Sequence, residues 1–366
     1  MPVALAAPLF VLAACVSLCT SWLLVSRLER VGERLGLSEA LLGMVAALAA
    51  DAPEITSAAA AMASGQQRVG IGVVVGSNVF NLAVLLGLGA LVAGRIGLHR
   101  RVILLGGSVA AWVAAVSLVT LLGVLTAGEG LALAGAVVLG YAALLGLDRR
   151  GSHHRATRRR WARWLRAAVA EEERELDAAI RPPRGRARDA LIGAVALVVV
   201  VAASATMERA ATDLGSGLGI PTIVVGALLL AAVTSLPNAV TAVYLAARGR
   251  GAAVLSTTLN SNNFNIVVGL LLAGTLTGLG APSASAMMVV AWYAGLTGVA
   301  LLLAYRDRGL GRGAGGMILG SYAVFVGSLI LVAAGAAPMV WVAPVSAALA
   351  GAGVVVLWIS QRRRRS

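Results

Sequence analysis

Lysine is absent from this chain, acidic residues number only 16, and charged residues of all kinds make up 13% of its 366 positions. Soluble domains carry about 25% charge. With 59% hydrophobic residues and a mean hydropathy of +0.89, the composition excludes a soluble enzyme. The two cysteines, Cys15 and Cys19, share one apolar stretch at i, i+4 spacing. That spacing reads as buried helix residues and excludes a disulfide framework or a metal site. The three histidines, His99, His153 and His154, all fall between apolar runs. No cysteine, histidine or serine has the partner that an intramembrane hydrolase needs. What the chain does contain is 30 arginines and a net charge of +14. That excess raises nucleic acid as a partner until the placement of the charges is known.

A membrane helix needs roughly 20 apolar residues to cross about 30 Å of hydrocarbon. Eleven runs qualify, at about 3–26, 39–64, 69–93, 101–125, 128–147, 189–207, 219–247, 252–279, 283–304, 315–336 and 339–360. No basic stretch precedes the first, and Arg27 follows it, so it reads as a retained span and not a cleaved signal. Arginines then alternate. They follow spans one (Arg27, Arg30, Arg34), three (Arg95, Arg100, Arg101), five (Arg149 to Arg188), seven (Arg248, Arg250), nine (Arg306, Arg308, Arg312) and eleven (Arg362 to Arg365), whereas the other connectors hold only Arg68 and Arg209. The positive-inside rule makes the odd connectors and the C-terminus cytoplasmic and puts the N-terminus outside, as expected in a bacterial plasma membrane. The +14 is thereby a topology signal, and no nucleic acid is needed.

The connector 148–188 holds thirteen arginines against six acids, with Trp161, Trp164, Leu165, Ala168, Val169, Leu176 and Ile180 near a helical period. It reads either as a helix lying on the anionic inner leaflet or as a solvated charged helix. His153 and His154 within it read as solvent-exposed. No protein partner is indicated.

A shift of 184 residues brings two segments into ungapped register: Pro53 falls on Pro237, Gly65 on Gly249, Ser77 on Ser261, Asn78 on Asn262, Phe80 on Phe264 and Asn81 on Asn265. The copies start at spans two and seven, and an odd separation inverts the second across the membrane. Inverted repeats characterise secondary transporters, whose ion sites lie at the repeat interface on discontinuous helices. Pro53 and Pro237 in mid-span fit such breaks, since proline removes a donor and frees a carbonyl. The expected fold is an all-α polytopic membrane protein of 10 to 11 transmembrane helices, with two inverted five-helix repeats and an extra C-terminal helix. Its expected parts are 1–147, the basic loop 148–188, the second membrane region 189–336, and the extra span with its tail, 337–366.

Of the acids, only Asp51 and Glu54 lie well inside a span, whereas Glu39, Glu129, Glu208 and Asp213 sit near span ends. Ionisable groups deep in a span are expensive and functional by default. The i, i+3 spacing puts these two carboxylates on one helix face. Ser77, Asn78, Asn81, Thr234, Ser235, Asn238, Ser261, Asn262 and Asn265 add neutral oxygens, and hard cations take such oxygens together. Interhelical hydrogen bonding is the alternative reading for the neutral groups.

These residues resemble the sodium/calcium exchanger type of the cation/calcium exchanger superfamily, whose two alpha repeats carry G-T-S-x-P-E on one helix and G-S-N-x-F-N or G-S-N-x-F-D on the next. The resemblance places Glu54, Ser77 and Asn81 at ion-binding positions of repeat one, and Thr234, Ser235, Ser261 and Asn265 at those of repeat two. It implies antiport by alternating access, with sodium or protons and calcium competing for one set of oxygens while peripheral helices slide against the core. No cofactor is implied beyond the transported cation. The chain departs from the pattern at Asn238, where the family has glutamate, at Ala50 and Asp51 for Thr-Ser, at Asn260 for glycine, and in its eleventh span. Both carboxylates therefore come from repeat one. If both are ionised they neutralise a divalent ion. If one stays protonated, the single negative charge favours a monovalent ion or proton-coupled exchange. A non-transporting scaffold of the same fold is the reading from another class.

Overall fold

Apolar runs become helices, as expected in hydrocarbon, where a backbone must satisfy its own hydrogen bonds. The computed structural model describes residues 1–148, 164–165, 167–170, 185–249 and 251–333. The expected eleventh span and most of the 148–188 loop lie outside the described residues. The first half contains α1 (Val3–Leu35), α2 (Glu39–Ala50), α3 (Ala52–Ala63), and α4 (Gln67–Asn81), which runs through a π-helical stretch, Leu82–Leu88, into α5 (Gly89–Ala93). Strand β1 (Arg95–Gly97), α6 (Arg100–Leu121) and α7 (Ala127–Asp148) complete it. The second half opens with α8 (Ala187–Gly217). There follow α9 (Thr222–Val224), a π stretch Val225–Leu230, α10 (Ala231–Thr234), α11 (Leu236–Ala247), and α12 (Gly251–Phe264), which passes through a π stretch Asn265–Leu272 into α13 (Ala273–Thr277). It ends with α14 (Ala284–Asp307), β2 (Gly309–Gly311) and α15 (Arg312–Ala333).

Among the described residues, seven helices are long and apolar enough to cross a bilayer, and two bent pairs, at 49° each, make nine. The segment Gly251–Thr277 is a tenth of spanning length, too polar to qualify because it carries Asn260, Asn262, Asn263 and Asn265. The chain is thus an all-α polytopic membrane protein, with one short ribbon that the apolar pattern did not foretell.

The ribbon pairs Ile96 with Leu310 antiparallel and so joins connectors three and nine. Other contacts between connectors keep the same parity. Gly185 N–H donates to Arg30 O at 2.9 Å, tying five to one, and Arg312 N–H donates to Gly94 O at 3.2 Å. On the opposite side Gly280 lies against Gln67, and Gly123 against Pro282. The described parts of the arginine-bearing connectors therefore gather at one end of the bundle.

Burial sorts the helices into centre and periphery. The most apolar window of Gln67–Ala93 is 89% buried, against 28% for α1 and 33% for α8. The two peripheral helices pack along each other, and Arg27 Nη1 meets Asp189 Oδ1 at 2.7 Å near one end. Two expectations are corrected. Cys15 and Cys19 are exposed on the outer face of α1. Inside a bilayer the outward face is apolar too, so hydropathy alone cannot distinguish it from the core. Helix α8 runs ten residues beyond the expected end of span six, which places Glu208 within the helix, 1% exposed.

Small residues bring the central helices into backbone contact. A Cβ at Gly76 of α4 would lie 2.5 Å from Ala227 Cα and 2.6 Å from its carbonyl oxygen. Gly76→Ala should therefore cost about 1–3 kcal/mol through overpacking. Gly316→Ala, where nothing lies within 4 Å, should cost far less. The midpoints of thermal unfolding in detergent measure the difference, and equal midpoints would contradict the close approach.

Candidate cation site

The two bent pairs break at corresponding positions. Asp51 joins α2 to α3 at φ −82°, ψ −1°, and Ser235, 184 residues later, joins α10 to α11 at φ −83°, ψ −2°. Both conformations fall in the sparsely populated bridge region. Pro53 and Pro237 sit in the first turn of the helix after each break, where a missing N–H costs nothing. The carbonyl that an N–H at position 53 would have bonded, Ala49 O, accepts a backbone N–H at the end of α2 and also Ser21 Oγ at 3.4 Å. Each proline thus starts a new helix at the bend, and the residues flanking the two breaks face one another.

Asp51 and Glu54 are fully buried. Their partners come from repeat two in crossed register. Ser235 Oγ, at the position equivalent to Asp51, donates to Glu54 Oε1 at 2.9 Å, and Asn238 Nδ2, equivalent to Glu54, donates to Asp51 Oδ1 at 2.8 Å. Ser261 Oγ also donates to Asp51 Oδ1 at 2.7 Å and accepts from Asn81 Nδ2 at 3.0 Å.

Between α4 and α12 the amides bond reciprocally. Asn78 Nδ2 donates to Asn262 O at 3.0 Å, and Asn262 Nδ2 to Asn78 O at 3.2 Å. Asn81 Nδ2 donates to Asn262 Oδ1 and Asn265 Nδ2 to Asn78 Oδ1, both at 3.1 Å. Each bond of a pair maps onto its mate under the 184-residue shift, so a local two-fold pseudosymmetry relates the repeats. The π stretches 82–88 and 265–272 begin beside Asn81 and Asn265, and π-helical turns often accompany functional sites.

Every polar residue singled out by sequence is buried. Thr234 alone turns its hydroxyl to its own helix, donating to Leu230 O at 2.9 Å. Five of these residues keep a buried oxygen without a hydrogen-bond partner: Asp51 Oδ2, Glu54 Oε2, Ser77 Oγ, Asn81 Oδ1 and Asn265 Oδ1. Asn81 and Asn265 spend their amide donors inside the network and so keep acceptors free. Asn263 Oδ1 and Glu208 Oε2 are buried and unpartnered as well. Asn263 sits at the unspecified position of the N-S-N-x-F-N run, where the repeat comparison carried no signal. Glu208, which the sequence puts near a span end, lies well inside α8.

The sodium/calcium exchanger protein family model matches residues 5–146 and 189–331. A relative from Alkalimonas amylolytica, CaxA, assigned as an antiporter, is 30% identical over 84 residues, which are 23% of this chain and 26% of that protein. The chain thus matches about a quarter of that relative's length. Among solved structures, an H+/Ca2+ exchanger CAX is similar with a TM-score of 0.71 at 13% identity, covering 98% of this chain and 88% of that one. The sodium-calcium exchanger NCX_Mj has a TM-score of 0.53 at 20% identity, with 90% and 100% covered. At these identities the likeness concerns the fold.

The side chain–side chain bond of Asn265 Nδ2 to Asn78 Oδ1 makes a specific energetic demand. Asn78→Ala and Asn265→Ala should each cost about 1–3 kcal/mol, because each strands the other's buried amide. The double substitution should cost less than the two losses combined, since it removes both ends of that bond at once. Thermal unfolding of the three variants measures the coupling, and strict additivity would contradict it.

Proposed function

The chain belongs to the sodium/calcium exchanger protein family, and on that premise we propose that it is a secondary active cation antiporter moving Ca2+ or another cation in exchange for Na+ or H+ by alternating access. It is a transporter and not an enzyme. The observation that carries the reading is the set of five buried, unpartnered oxygens on both repeats. All five can accept, the Ser77 hydroxyl being a donor as well, and two belong to carboxylates. A hard cation takes six to eight such oxygens in the case of calcium, with water or carbonyls completing the shell. Asp51 and Glu54 together supply two negative charges and balance a divalent ion. Ser77, Asn81 and Asn265 supply neutral oxygens that replace hydration.

Ser235, Asn238 and Ser261 act differently in this scheme. Each donates to a carboxylate oxygen and so orients the other oxygen of that group. Loading a cation and loading protons compete for the same two carboxylates, which makes exchange obligatory: a site that must be neutral to cross the hydrocarbon cannot return empty and charged. A second reading, monovalent cation/H+ antiport, is favoured by the absence of any carboxylate at Asn238 and Asn265. With one proton retained, the site carries a single charge.

The arginine-bearing end is assigned to the cytoplasm of a bacterial cell, where anionic headgroups attract it. The parts proposed are the membrane regions 1–147 and 189–336, the basic loop between them, and the extra span beyond.

Everted vesicles loaded with calcium, sodium or potassium against a proton or sodium gradient identify the exchanged ions by which cation dissipates the gradient. Glu54→Gln should abolish that exchange, and retained flux would sink the assignment. Asn238→Glu should strengthen divalent over monovalent transport. An unchanged calcium dependence would count against a site shared by the two repeats.

A further inference from the structure

Glu208 stands outside the central oxygens. It lies on α8, 1% exposed, with Oε1 accepting from Thr212 Oγ1 at 3.0 Å and Oε2 buried without a partner. One turn before it, Ser204 forms a polar crossing of three helices: its Oγ lies 2.7 Å from Ser17 Oγ of α1, and its carbonyl accepts from Ser57 Oγ of α3 at 3.3 Å. Ser57 is one turn from Glu54 on α3. One turn past Glu208, at the end of the bundle where the chain begins, Asp213 is 40% exposed and meets the Met1 ammonium at 3.2 Å. Polar groups thus line the seam of α1, α3 and α8 from the turn carrying Glu54 to the surface.

Three roles can be weighed for this carboxylate. As an ion-pair member it has no counterpart, since no salt bridge to Glu208 exists among the described residues. As a cation cage it offers two carboxylate oxygens and one hydroxyl, too few for a dehydrated hard cation. As interhelical glue it would leave Oε2 unsatisfied, at a cost that a side chain with a single polar oxygen, such as serine, avoids. A proton is the ligand that one buried carboxylate can hold alone.

We propose that Glu208 is a proton-carrying site separate from the central cation oxygens. It takes a proton on Oε2 from hydronium at the N-terminal end of the bundle and yields it to a central carboxylate, Glu54, along the polar seam of Ser204, Ser17 and Ser57 as the cation exchanges. Loading forms one O–H bond on Oε2 and breaks one in the hydronium, and release breaks that bond and forms one on the Glu54 carboxylate, with no change of oxidation state. The groups facing Glu208 from its surroundings are few. From α1 there is the Met1 ammonium at the surface, from α3 Glu54, from Thr222–Leu230 no ionisable group, and on α8 itself Asp213 and the exposed Arg209. The proposal rests on the antiport reading for its role in transport, although protonation of Glu208 can be observed without transport.

The test compares wild type, Glu208→Gln and Glu208→Asp as full-length chains. Infrared difference spectra of the purified protein between acid and alkaline buffer should contain a protonated-carboxyl band that Glu208→Gln lacks and Glu208→Asp restores, shifted. In proteoliposomes with an internal pH dye, an outward calcium gradient should drive proton movement in the wild type. Glu208→Gln should lose that movement and flatten the pH profile of exchange while keeping calorimetric calcium binding. Thr212→Val, a milder change, should shift the midpoint of the band. An unchanged band in Glu208→Gln, wild-type proton movement in that variant, or exchange in the wild type with no proton moved would each overturn the proposal. A wild type that moves no cation at all would instead sink the antiport reading, and the infrared band would still decide whether Glu208 binds a proton.

Discussion

Two carboxylates three residues apart in the middle of a bilayer are the constraint around which this fold is arranged. A charge at that depth is costly however it is measured, and the protein meets the cost with donors from the opposite repeat. Ser235, Asn238 and Ser261 satisfy one oxygen of each acid and leave the other free. Burying a polar atom without a partner costs about 1–3 kcal/mol. The central helices carry that cost at two carboxylate oxygens, two amide oxygens and the Ser77 hydroxyl, the group of oxygens on which the proposed cation site rests.

That arrangement depends in turn on the broken helices. A continuous helix through residue 51 would use its backbone groups internally and could not turn Asp51 toward repeat two. The bend at Asp51 and its counterpart at Ser235 have nearly identical dihedrals, so the two repeats share one backbone solution. Their side chains do not share it: the acid positions 51 and 54 of repeat one are serine and asparagine in repeat two. Backbone pseudosymmetry gives two equivalent ways to open an inverted-repeat protein. Under the antiport proposed above, the charge asymmetry has the cation anchored in both states by the same segment, Asp51 and Glu54 at the start of α3. Repeat two presents donors and neutral oxygens to that anchor. The burden of release then falls on whatever weakens contact with α3, and α3 is packed against the peripheral helix α8.

Much of this was legible before any coordinates. The matches at a shift of 184 residues fell on prolines, serines and asparagines, residue types that an apolar background does not place by chance, and the hydrogen bonds pair those same positions. Grouping of the connectors is legible from arginine, because described connectors of one parity touch one another. What was not legible has physical causes. Hydropathy locates the apolar part of a helix and not its end, so the apolar run of span six stops ten residues short of the end of α8 and leaves Glu208 beside its limit. Periodicity cannot separate core from lipid in a helix apolar all round, so the faces of Cys15 and Cys19 were misjudged. The ribbon of 95–97 with 309–311 is a long-range pairing of three residues a side, too short for alternation to mark.

The amides also bear on how the second repeat comes to lie in a membrane at all. Gly251–Thr277 is long enough to span yet too polar to count as an apolar helix, because of the asparagines that define the site. An isolated helix bearing four asparagines would hold their amides in hydrocarbon without partners. In the folded chain Asn262 bonds Asn78 in both directions, and Asn265 bonds Asn78 as well. The polar content that makes this helix a poor solitary span is therefore what binds it to α4. Pairing of the repeats is a condition for burying α12, the helix least able to exist without its counterpart.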